Sequence, residues 1–250
     1  MRIALFVTCL SDTFVPRAGA AVVKVLEHLG HEVVFPEEQT CCGQPMYNNG
    51  FQEAARRLAC RQMRVFSGAE TVITPSGSCA AMIRRHYPEL FETGSREWRA
   101  ARELACKTFE FVEFLVKVEH ADLRQLGVRW GGIATYHYSC HLRELGMTDE
   151  VVRLLHQIQD LEYRPLEKME QCCGFGGLFA VKYPAISGEM VRDKVRCIRR
   201  TSADTVICND AGCTLNIAGA CHREGLGVRF RSLAEILAEG LGLLEREVAS

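Results

Sequence analysis

The stretch Cys41-Cys42-Gly43 recurs 131 residues later as Cys172-Cys173-Gly174. In each copy 31 residues separate the pair from a preceding lone cysteine, and another lone cysteine follows after 35 intervening residues in the first copy and 38 in the second. Eight of the 13 cysteines thus fall into two matching sets of four: Cys9, Cys41, Cys42 and Cys79, then Cys140, Cys172, Cys173 and Cys213. Scattered core cysteines have no reason to repeat in this way. The pattern therefore predicts a duplicated chain that binds two metal centres.

The composition is that of an ordinary globular protein. The 250 residues are 48% hydrophobic and 24% charged, which is enough for one large core or two smaller ones, and the repeat favours two. We expect domains at residues 1–125 and 126–250. With a net charge of -1 and only short basic clusters, the chain lacks the signature of a nucleic-acid or anionic-membrane partner.

No run of apolar residues approaches the roughly 18 that a membrane-spanning helix needs. The apolar run between Met1 and Cys9 is short, barely basic at its start and without a small-residue cleavage site, so we interpret it as a first strand and not as a signal peptide. We therefore expect a cytoplasmic protein. In that reducing environment cysteines are more suited to binding metal than to forming disulfides.

Hydrophobic periodicity predicts alternating strands and helices in both halves. The predicted strands are 3–8, 31–35 and 70–74, then 132–138, 161–165 and 203–208; the predicted helices are 20–29, 51–66, 150–158 and 186–200; an amphipathic tail closes each half at 109–118 and 230–241. This alternation indicates an α/β fold of two pseudo-symmetric domains, each a small, mainly parallel sheet flanked by helices. Ligands of such sheets bind at the carboxyl ends of the strands, which is where all eight cysteines fall.

Four thiolates per set can bind one iron-sulfur cluster or one tetrahedral zinc ion. Structural zinc sites usually draw on C-x2-4-C knuckles, which neither set contains. Adjacent cysteines in an extended segment point to opposite sides and suit a cluster several ångströms across. The glycine after each pair allows a tight turn that points amide groups at the cluster. We predict two iron-sulfur clusters, with zinc sites and reduced buried thiols as the alternatives.

The remaining cysteines and histidines show no repeated pattern. Four cysteines in helical stretches are predicted to be small buried side chains: Cys60, Cys106, Cys197 and Cys221. Cys208 ends a strand near the second set and aligns with Thr74, so it is a candidate extra ligand in one half only, with a core thiol as the alternative. His137 and His141 flank Cys140 and are candidates for a hydrogen bond to a cluster or for an extra ligand, although the first half has no histidine at the corresponding places.

Four longer motifs accompany the cysteines: Ser76-Gly77-Ser78-Cys79, His137-Tyr138-Ser139-Cys140-His141-Leu142-Arg143, Cys172-Cys173-Gly174-Phe175-Gly176-Gly177 and Asp210-Ala211-Gly212-Cys213. Together with the paired Cys-Cys-Gly segments, they resemble the cysteine-rich (CCG) domain family. That family includes the cysteine-rich subunits of heterodisulfide reductase and of anaerobic glycerol-3-phosphate dehydrogenase, and the iron-sulfur subunit of glycolate oxidase. Within it the chain is most similar to the lactate utilization protein A group, which shares its short length. The resemblance covers nearly the whole chain.

The resemblance implies an iron-sulfur electron-transfer subunit of an L-lactate (2-hydroxy acid) oxidising complex. It further implies that the eight cysteines hold two [4Fe-4S] clusters and that lactate utilization proteins B and C are the partners. The chain has no complete nucleotide-binding motif and therefore no visible means of accepting a hydride by itself. No catalytic residue is identified.

One departure from the family concerns the reaction. The cysteine-rich subunit of heterodisulfide reductase has a fifth cysteine in each half, and its unusual clusters cleave disulfides, whereas Met82 and Asn216 occupy those places here. A thioether or an amide cannot replace a bridging thiolate. A disulfide or quinone reductase of that type is therefore the alternative from the enzyme class, and a zinc-stabilised scaffold is the alternative from the binding class.

Overall fold

Strands and helices alternate along both halves of the protein. The computed structural model describes residues 1–246. The first half contains β1 (Arg2–Leu5), α1 (Cys9–Phe14), α2 (Pro16–His28), β2 (Glu32–Val34), α3 (Gln44–Asn48), α4 (Gln52–Val65), β3 (Thr71–Thr74), α5 (Gly77–Ala81), a π-helical turn (Met82–His86), α6 (Tyr87–Glu89), α7 (Arg96–Lys107), β4 (Thr108–Glu110) and α8 (Phe111–Lys117). The second half contains β5 (Arg129–Tyr136), α9 (Cys140–Glu144), α10 (Glu150–Leu155), β6 (Gln159–Tyr163), α11 (Leu178–Lys182), α12 (Pro184–Thr201), β7 (Thr205–Ile207), α13 (Ala211–Arg223), β8 (Arg229–Arg231) and α14 (Leu233–Gly240).

Each half forms one four-stranded sheet in which all neighbouring strands are parallel. The strand order is β2-β1-β3-β4 in the first sheet and β6-β5-β7-β8 in the second. The predicted α/β fold with two similar parallel sheets is confirmed. In each sheet the third strand pairs with the first strand on the side opposite the second strand. This reversal of strand order leaves a crevice beyond the carboxyl ends of β1 and β3, and likewise of β5 and β7.

An apolar core joins the two halves. It includes buried side chains from α2, α8, α14 and β5, among them Leu26, Phe114, Trp130 and Ile236. Burying a leucine, isoleucine or phenylalanine side chain contributes about 1.5–3 kcal/mol, so this shared core holds the halves together. Two smaller apolar clusters lie within the separate halves, and each contains the more buried cysteines of its own set.

Each predicted amphipathic tail consists of a strand and a helix. Strands β4 and β8 open the two tails, and α8 and α14 follow them. Three residues are too few to show an alternating pattern, so each strand was predicted together with its helix as one amphipathic tail. The helices begin at capping residues: the Glu110 carboxylate accepts from the amides of Val112 and Glu113, and Ser232 forms a capping box with Glu235.

Further elements differ from the sequence prediction. Helices α7 and α13 were not predicted: in α7 only Ala101, Leu104 and Ala105 mark the buried face among charged residues, and α13 is rich in small residues. Strand β5 begins at Arg129, three residues before the predicted 132–138. Strand β6 begins at Gln159, two residues before the predicted 161–165, because its first residues are exposed and polar on a sheet edge. Within the described residues, none of the helices combines the length and the apolar character that crossing a membrane requires.

Candidate metal centres

All eight repeat cysteines lie beyond the carboxyl ends of parallel strands. Cys9 and Cys140 are the first residues of α1 and α9, which follow β1 and β5. Cys79 and Cys213 lie in the first turns of α5 and α13, which follow β3 and β7. The two Cys-Cys-Gly segments lie in the loops after β2 and β6. Because these strands end at one edge of each sheet, they bring together thiols that are remote in sequence.

In the first set the four thiols form a continuous chain of contacts. Cys79 Sγ lies 3.3 Å from Cys42 Sγ. Cys41 is hydrogen-bonded to the thiols of both Cys42 and Cys9. Gly43 has a φ of 88°, and its amide donates to Cys41 Sγ at 3.5 Å. The left-handed backbone at this glycine thus turns the chain beside the thiols, as its place after the pair predicts.

The second set repeats these contacts. Cys173 Sγ lies 3.1 Å from Cys213 Sγ, and Cys172 is hydrogen-bonded to the thiols of Cys140 and Cys173. Gly174 has a φ of 83°, and its amide donates to Cys172 Sγ at 3.4 Å. The sequence repeat is therefore also a repeat of site geometry.

One cysteine in each set is favoured as a thiolate. The pKa of Cys41 is lowered to about 3, because the thiols of Cys42 and Cys9 both donate to its sulfur. Likewise, the pKa of Cys172 is lowered to about 2, chiefly by the hydrogen bond from Cys140. The same hydrogen bonds raise the pKa of the donors. Since the thiolate is the form that binds metal, each set begins with one sulfur ready to act as a ligand.

Each cysteine set lines a cavity, of about 160 Å³ at the first set and about 120 Å³ at the second. Phe175 and Asp210 of the second half line the first cavity, and Gln44 and Ser78 of the first half line the second. These four residues border both cavities, so the two sites lie side by side at the junction of the halves. Gln44, Phe175 and Asp210 were not predicted as wall residues, because their place depends on how the halves pack together.

Asp210 connects the two halves between the cavities. Its Oδ2 accepts from Ser76 Oγ at 3.1 Å and from the Ser78 amide at 3.2 Å, and its Oδ1 accepts from the Gly212 amide at 3.1 Å. A Cβ at Gly212 would lie 2.7 Å from the ring of Phe175. Residues 210–212 therefore form the wall through which the second half meets the first cavity.

His141 lies over the second set and reaches the first half. Gln44 Nε2 donates to His141 Nε2 at 3.1 Å, and His141 Nδ1 lies 3.7 Å from Cys140 Sγ. Because Nε2 accepts, Nδ1 carries the ring proton and points it at the sulfur. The predicted hydrogen bond from His141 to a cluster, or its role as an extra ligand, stays a prediction.

His137 and Cys208 also lie at the second set. His137 is 1% exposed, and neither ring nitrogen has a hydrogen-bond partner in the described part of the chain. Its ring nitrogen and the sulfurs of Cys173 and Cys213 all lie within 4.8 Å of one another, so these three residues are able to hold a metal ion. Burial lowers the pKa of His137 to about 3. Cys208 hydrogen-bonds to Cys213, and its role as an extra ligand stays a prediction.

The cysteines outside the two sets differ in burial. Cys197 and Cys221 are buried as predicted. Cys106 is exposed and Cys60 is only half-buried, so the prediction of buried side chains is wrong for Cys106 and holds only in part for Cys60. Both lie on helices α4 and α7 with charged neighbours, where a small side chain at the edge of the apolar face remains partly accessible to water.

The residues at the fifth-cysteine positions have structural contacts of their own. Met82 is fully buried in the apolar cluster of the first half. Asn216 Nδ2 donates to the carbonyl of Cys173 at 2.8 Å, and in the first half the Tyr87 hydroxyl donates to the carbonyl of Cys42 at 2.8 Å. Both carbonyl contacts position the Cys-Cys-Gly backbone, and neither Met82 nor Asn216 offers a thiolate.

Comparison with known proteins agrees with the repeat. A cysteine-rich domain model, CCG, matches residues 3–84 and again residues 134–218. Lactate utilization protein A of Geobacillus kaustophilus (strain HTA426) is 48% identical over 239 residues, which cover 95% of this chain and 98% of that protein. Lactate utilization protein A 2 of Bacillus cereus (strain AH820) is 42% identical over 243 residues, which cover 96% and 99%.

The solved structures offer a much weaker likeness. A putative Asp/Glu racemase from Yersinia pestis matches with a TM-score of 0.37 and 13% identity over 96% of this chain and 97% of that one, too slight to indicate a shared function. The sequence relatives and the two domain matches are decisive. The chain therefore belongs to the CCG cysteine-rich domain family, with two copies of the domain, and the proteins named lactate utilization protein A are its close relatives.

Proposed function

We propose that this chain is a cytoplasmic iron-sulfur electron-transfer subunit of a system that oxidises L-lactate or a similar 2-hydroxy acid. One [4Fe-4S] cluster is held by Cys9, Cys41, Cys42 and Cys79, and another by Cys140, Cys172, Cys173 and Cys213. The observation that carries the proposal is the pair of adjoining cavities, each lined by four free cysteines.

The size of the cavities favours a cluster over zinc. A water molecule accounts for about 30 Å³ of liquid, so cavities of about 160 and 120 Å³ have room for several water molecules. The thiols contact one another at one wall of each cavity, and a single tetrahedral ion among them would need no such space beside them. Soft sulfur donors around a larger space suit an iron-sulfur core.

The protein's part is to hold and enclose the two centres. Four cysteines bind each centre, the amides of Gly43 and Gly174 donate to cysteine sulfurs, and Phe175 separates the cavities. A bound cluster supplies one-electron transfer. The adjoining cavities give an electron a short path between the halves.

Partners are needed because the chain lacks a hydride acceptor. The relatives are named for lactate utilization, and we propose lactate utilization proteins B and C as the partners, with protein B exchanging electrons with this chain. A disulfide or quinone reductase is the less favoured function, because Met82 is buried in an apolar cluster and Asn216 bonds to a backbone carbonyl.

Metal analysis after anaerobic purification tests the proposal. Two [4Fe-4S] clusters predict about eight irons per chain, with equal sulfide and broad visible absorption. A colourless protein that contains zinc would reject the redox function. Added L-lactate should not bleach the isolated chain, and bleaching without partners would favour a catalytic role instead.

Single substitutions test the ligand sets. Cys42→Ser and Cys173→Ser should each remove about half of the iron, because each empties one centre. Cys197→Ser is the matched control, since this buried cysteine lies outside both sets and should leave the iron content unchanged. Full iron in both ligand variants would contradict the assignment.

A further inference from the structure

A buried lysine lies at the second cysteine site, and the first site has a neutral residue in its place. Gln62 on α4 and Lys194 on α12 occupy corresponding places in the repeat, 132 residues apart, and both are 0% exposed. Gln62 Nε2 donates to the carbonyls of Thr40 and Cys41. Lys194 Nζ donates to the carbonyls of Lys168 and Met169 at 2.7 and 3.3 Å. Both side chains thus tie the segment before the cysteine pair to a helix, but one is neutral and the other is a cation.

Lys194 has no carboxylate partner within residues 1–246. Its neighbour Asp193 pairs with Lys168 and Arg196 instead. A buried cation without an anion is costly, and burial accordingly lowers the pKa of Lys194. One of its two carbonyl partners, Met169, lies three residues before Cys172, which places the ammonium group beside the second cysteine pair. Thiolate ligands of a bound cluster would supply the missing negative charge.

A second difference lies beside the same thiols. Phe6 and His137 follow corresponding strands, and their amides donate to the carbonyls of Ile73 and Ile207 at 2.8 and 2.9 Å. The second site therefore has an imidazole where the first site has a phenyl ring. Both ring nitrogens of His137 lack partners in the described chain, although the ring is fully enclosed beside Cys173. A bound cluster would give it a hydrogen-bond acceptor.

Asp210 is the negative charge that opposes Lys194. Its carboxylate lines both cavities, so it acts on both centres. Its Oδ2 accepts from the Ser76 hydroxyl and the Ser78 amide of the first half, and its Oδ1 accepts from the Gly212 amide of the second half, so this charge lies between the two centres. Lys194 Nζ donates to backbone carbonyls of the second half. The charge that belongs to one site alone is therefore the cation of Lys194.

We propose that Lys194, assisted by His137, raises the reduction potential of the second centre, so that the two centres are unequal one-electron acceptors. A positive charge and hydrogen bonds near a cluster both stabilise its reduced form. In a protein that holds one added electron, the electron would pass from the first centre, which would be oxidised, to the second centre, which would be reduced. No bond is made or broken and no proton is required. This inference rests on the proposed function.

Potentiometric titration followed by electron paramagnetic resonance tests the inference. Cys42→Ser and Cys173→Ser proteins, each with one centre, assign the two signals in the full chain. Lys194→Gln, which installs the residue of the first half, should lower the potential of the second centre by at least a tenfold change in its reduction equilibrium, or about 59 mV for one electron. Lys194→Arg keeps the charge and should keep the potential. His137→Phe should lower the potential by a smaller amount.

The reciprocal variant Gln62→Lys measures the same effect in the first centre and does not depend on whether Lys194→Gln folds. It should raise the first potential and leave the second unchanged. The inference is overturned if Lys194→Gln and Lys194→Arg shift the second centre alike, if both centres move together, or if Gln62→Lys leaves the first potential unaltered. Each of these outcomes is measured on iron-loaded protein, so it would refute this inference and leave the proposed function intact. A wild-type chain that takes up no iron would instead refute the proposed function, and the inference with it.

Discussion

Gly174→Ala should remove the second centre while Gly43→Ala spares the first. Both glycines follow a cysteine pair with positive φ, 83° and 88°. They differ in their surroundings: a Cβ at Gly174 would lie 2.8 Å from the carbonyl oxygen of Ser187, whereas at Gly43 the nearest atom is the Cβ of Leu58 at 3.3 Å. A helix carbonyl cannot yield without moving α12, but a leucine side chain can shift by a few tenths of an ångström.

The cost can be estimated from these contacts. Left-handed backbone costs an L residue about 1–2 kcal/mol, and the loss of freedom in the unfolded chain returns about 0.4–1 kcal/mol; these two contributions are common to both variants. Overpacking against fixed backbone adds about 1–3 kcal/mol, and this applies to Gly174 alone. The two variants should therefore differ in free energy of unfolding by about 1–3 kcal/mol. For a chain of this size that is about 2–4 °C in melting temperature per kcal/mol.

The assay combines iron content with thermal unfolding of anaerobically purified protein. Displacing Gly174 also removes the amide that donates to Cys172 Sγ, so Gly174→Ala should retain about half of the iron, as expected for one of two equal clusters. Gly43→Ala should keep nearly all of it. Equal iron and equal melting temperatures in the two variants would refute the steric reasoning, and a greater loss in Gly43→Ala would reverse it.

Three further outcomes follow from single residues. Glu110→Gln should flatten the pH dependence of stability, because burial raises the pKa of Glu110 to about 8 from 4.5. The native protein therefore loses a few kcal/mol of stability as pH rises between these two values, at about 1.4 kcal/mol per pKa unit. Unfolding midpoints that fall as steeply with pH in the variant would argue against this cause. Gly212→Ala should displace Phe175, which lines both cavities, and lower the free energy of unfolding by about 1–3 kcal/mol. The variant should lose iron from both centres. Loss from one centre alone would be inconsistent with a shared wall. Cys106→Ser should change neither iron content nor stability by more than about 0.5 kcal/mol, because the thiol is exposed, and any iron loss would show a role that the geometry does not.

The sequence predicted the sheets well because their signals are local. The apolar run 3–8 ends directly before Cys9, and the run 70–74 ends five residues before Cys79; the repeat doubles each observation. The short strands β4 and β8 were missed because three residues carry no period of their own, and helix α7 was missed because its buried face is narrow. These errors leave the strand ends that carry the cysteines in place.

The walls of the candidate site lay beyond sequence reasoning because they depend on packing between distant segments. Asp210 meets Ser76 and Ser78 only because the two sheets face each other with their carboxyl edges. Lys194 shows only as a lysine within an amphipathic pattern, and neither its burial nor its lack of a carboxylate in the described chain follows from that pattern. Matching the buried faces of α4 and α12 places Lys194 on Gln62, which indicates that the two sites differ in charge.

Duplication explains why the two sites adjoin. Each half alone has the strand ends that gather four cysteines, but its cavity is open on the side that the other half closes with Phe175 and Asp210, or with Gln44 and Ser78. The shared core and the shared walls therefore hold the two cavities side by side. A single copy of the fold would hold one centre without a neighbour. On the proposed function, two copies that differ at Gln62 and Lys194 would keep the same ligands and gain a difference in charge, which would make one centre the preferred electron acceptor.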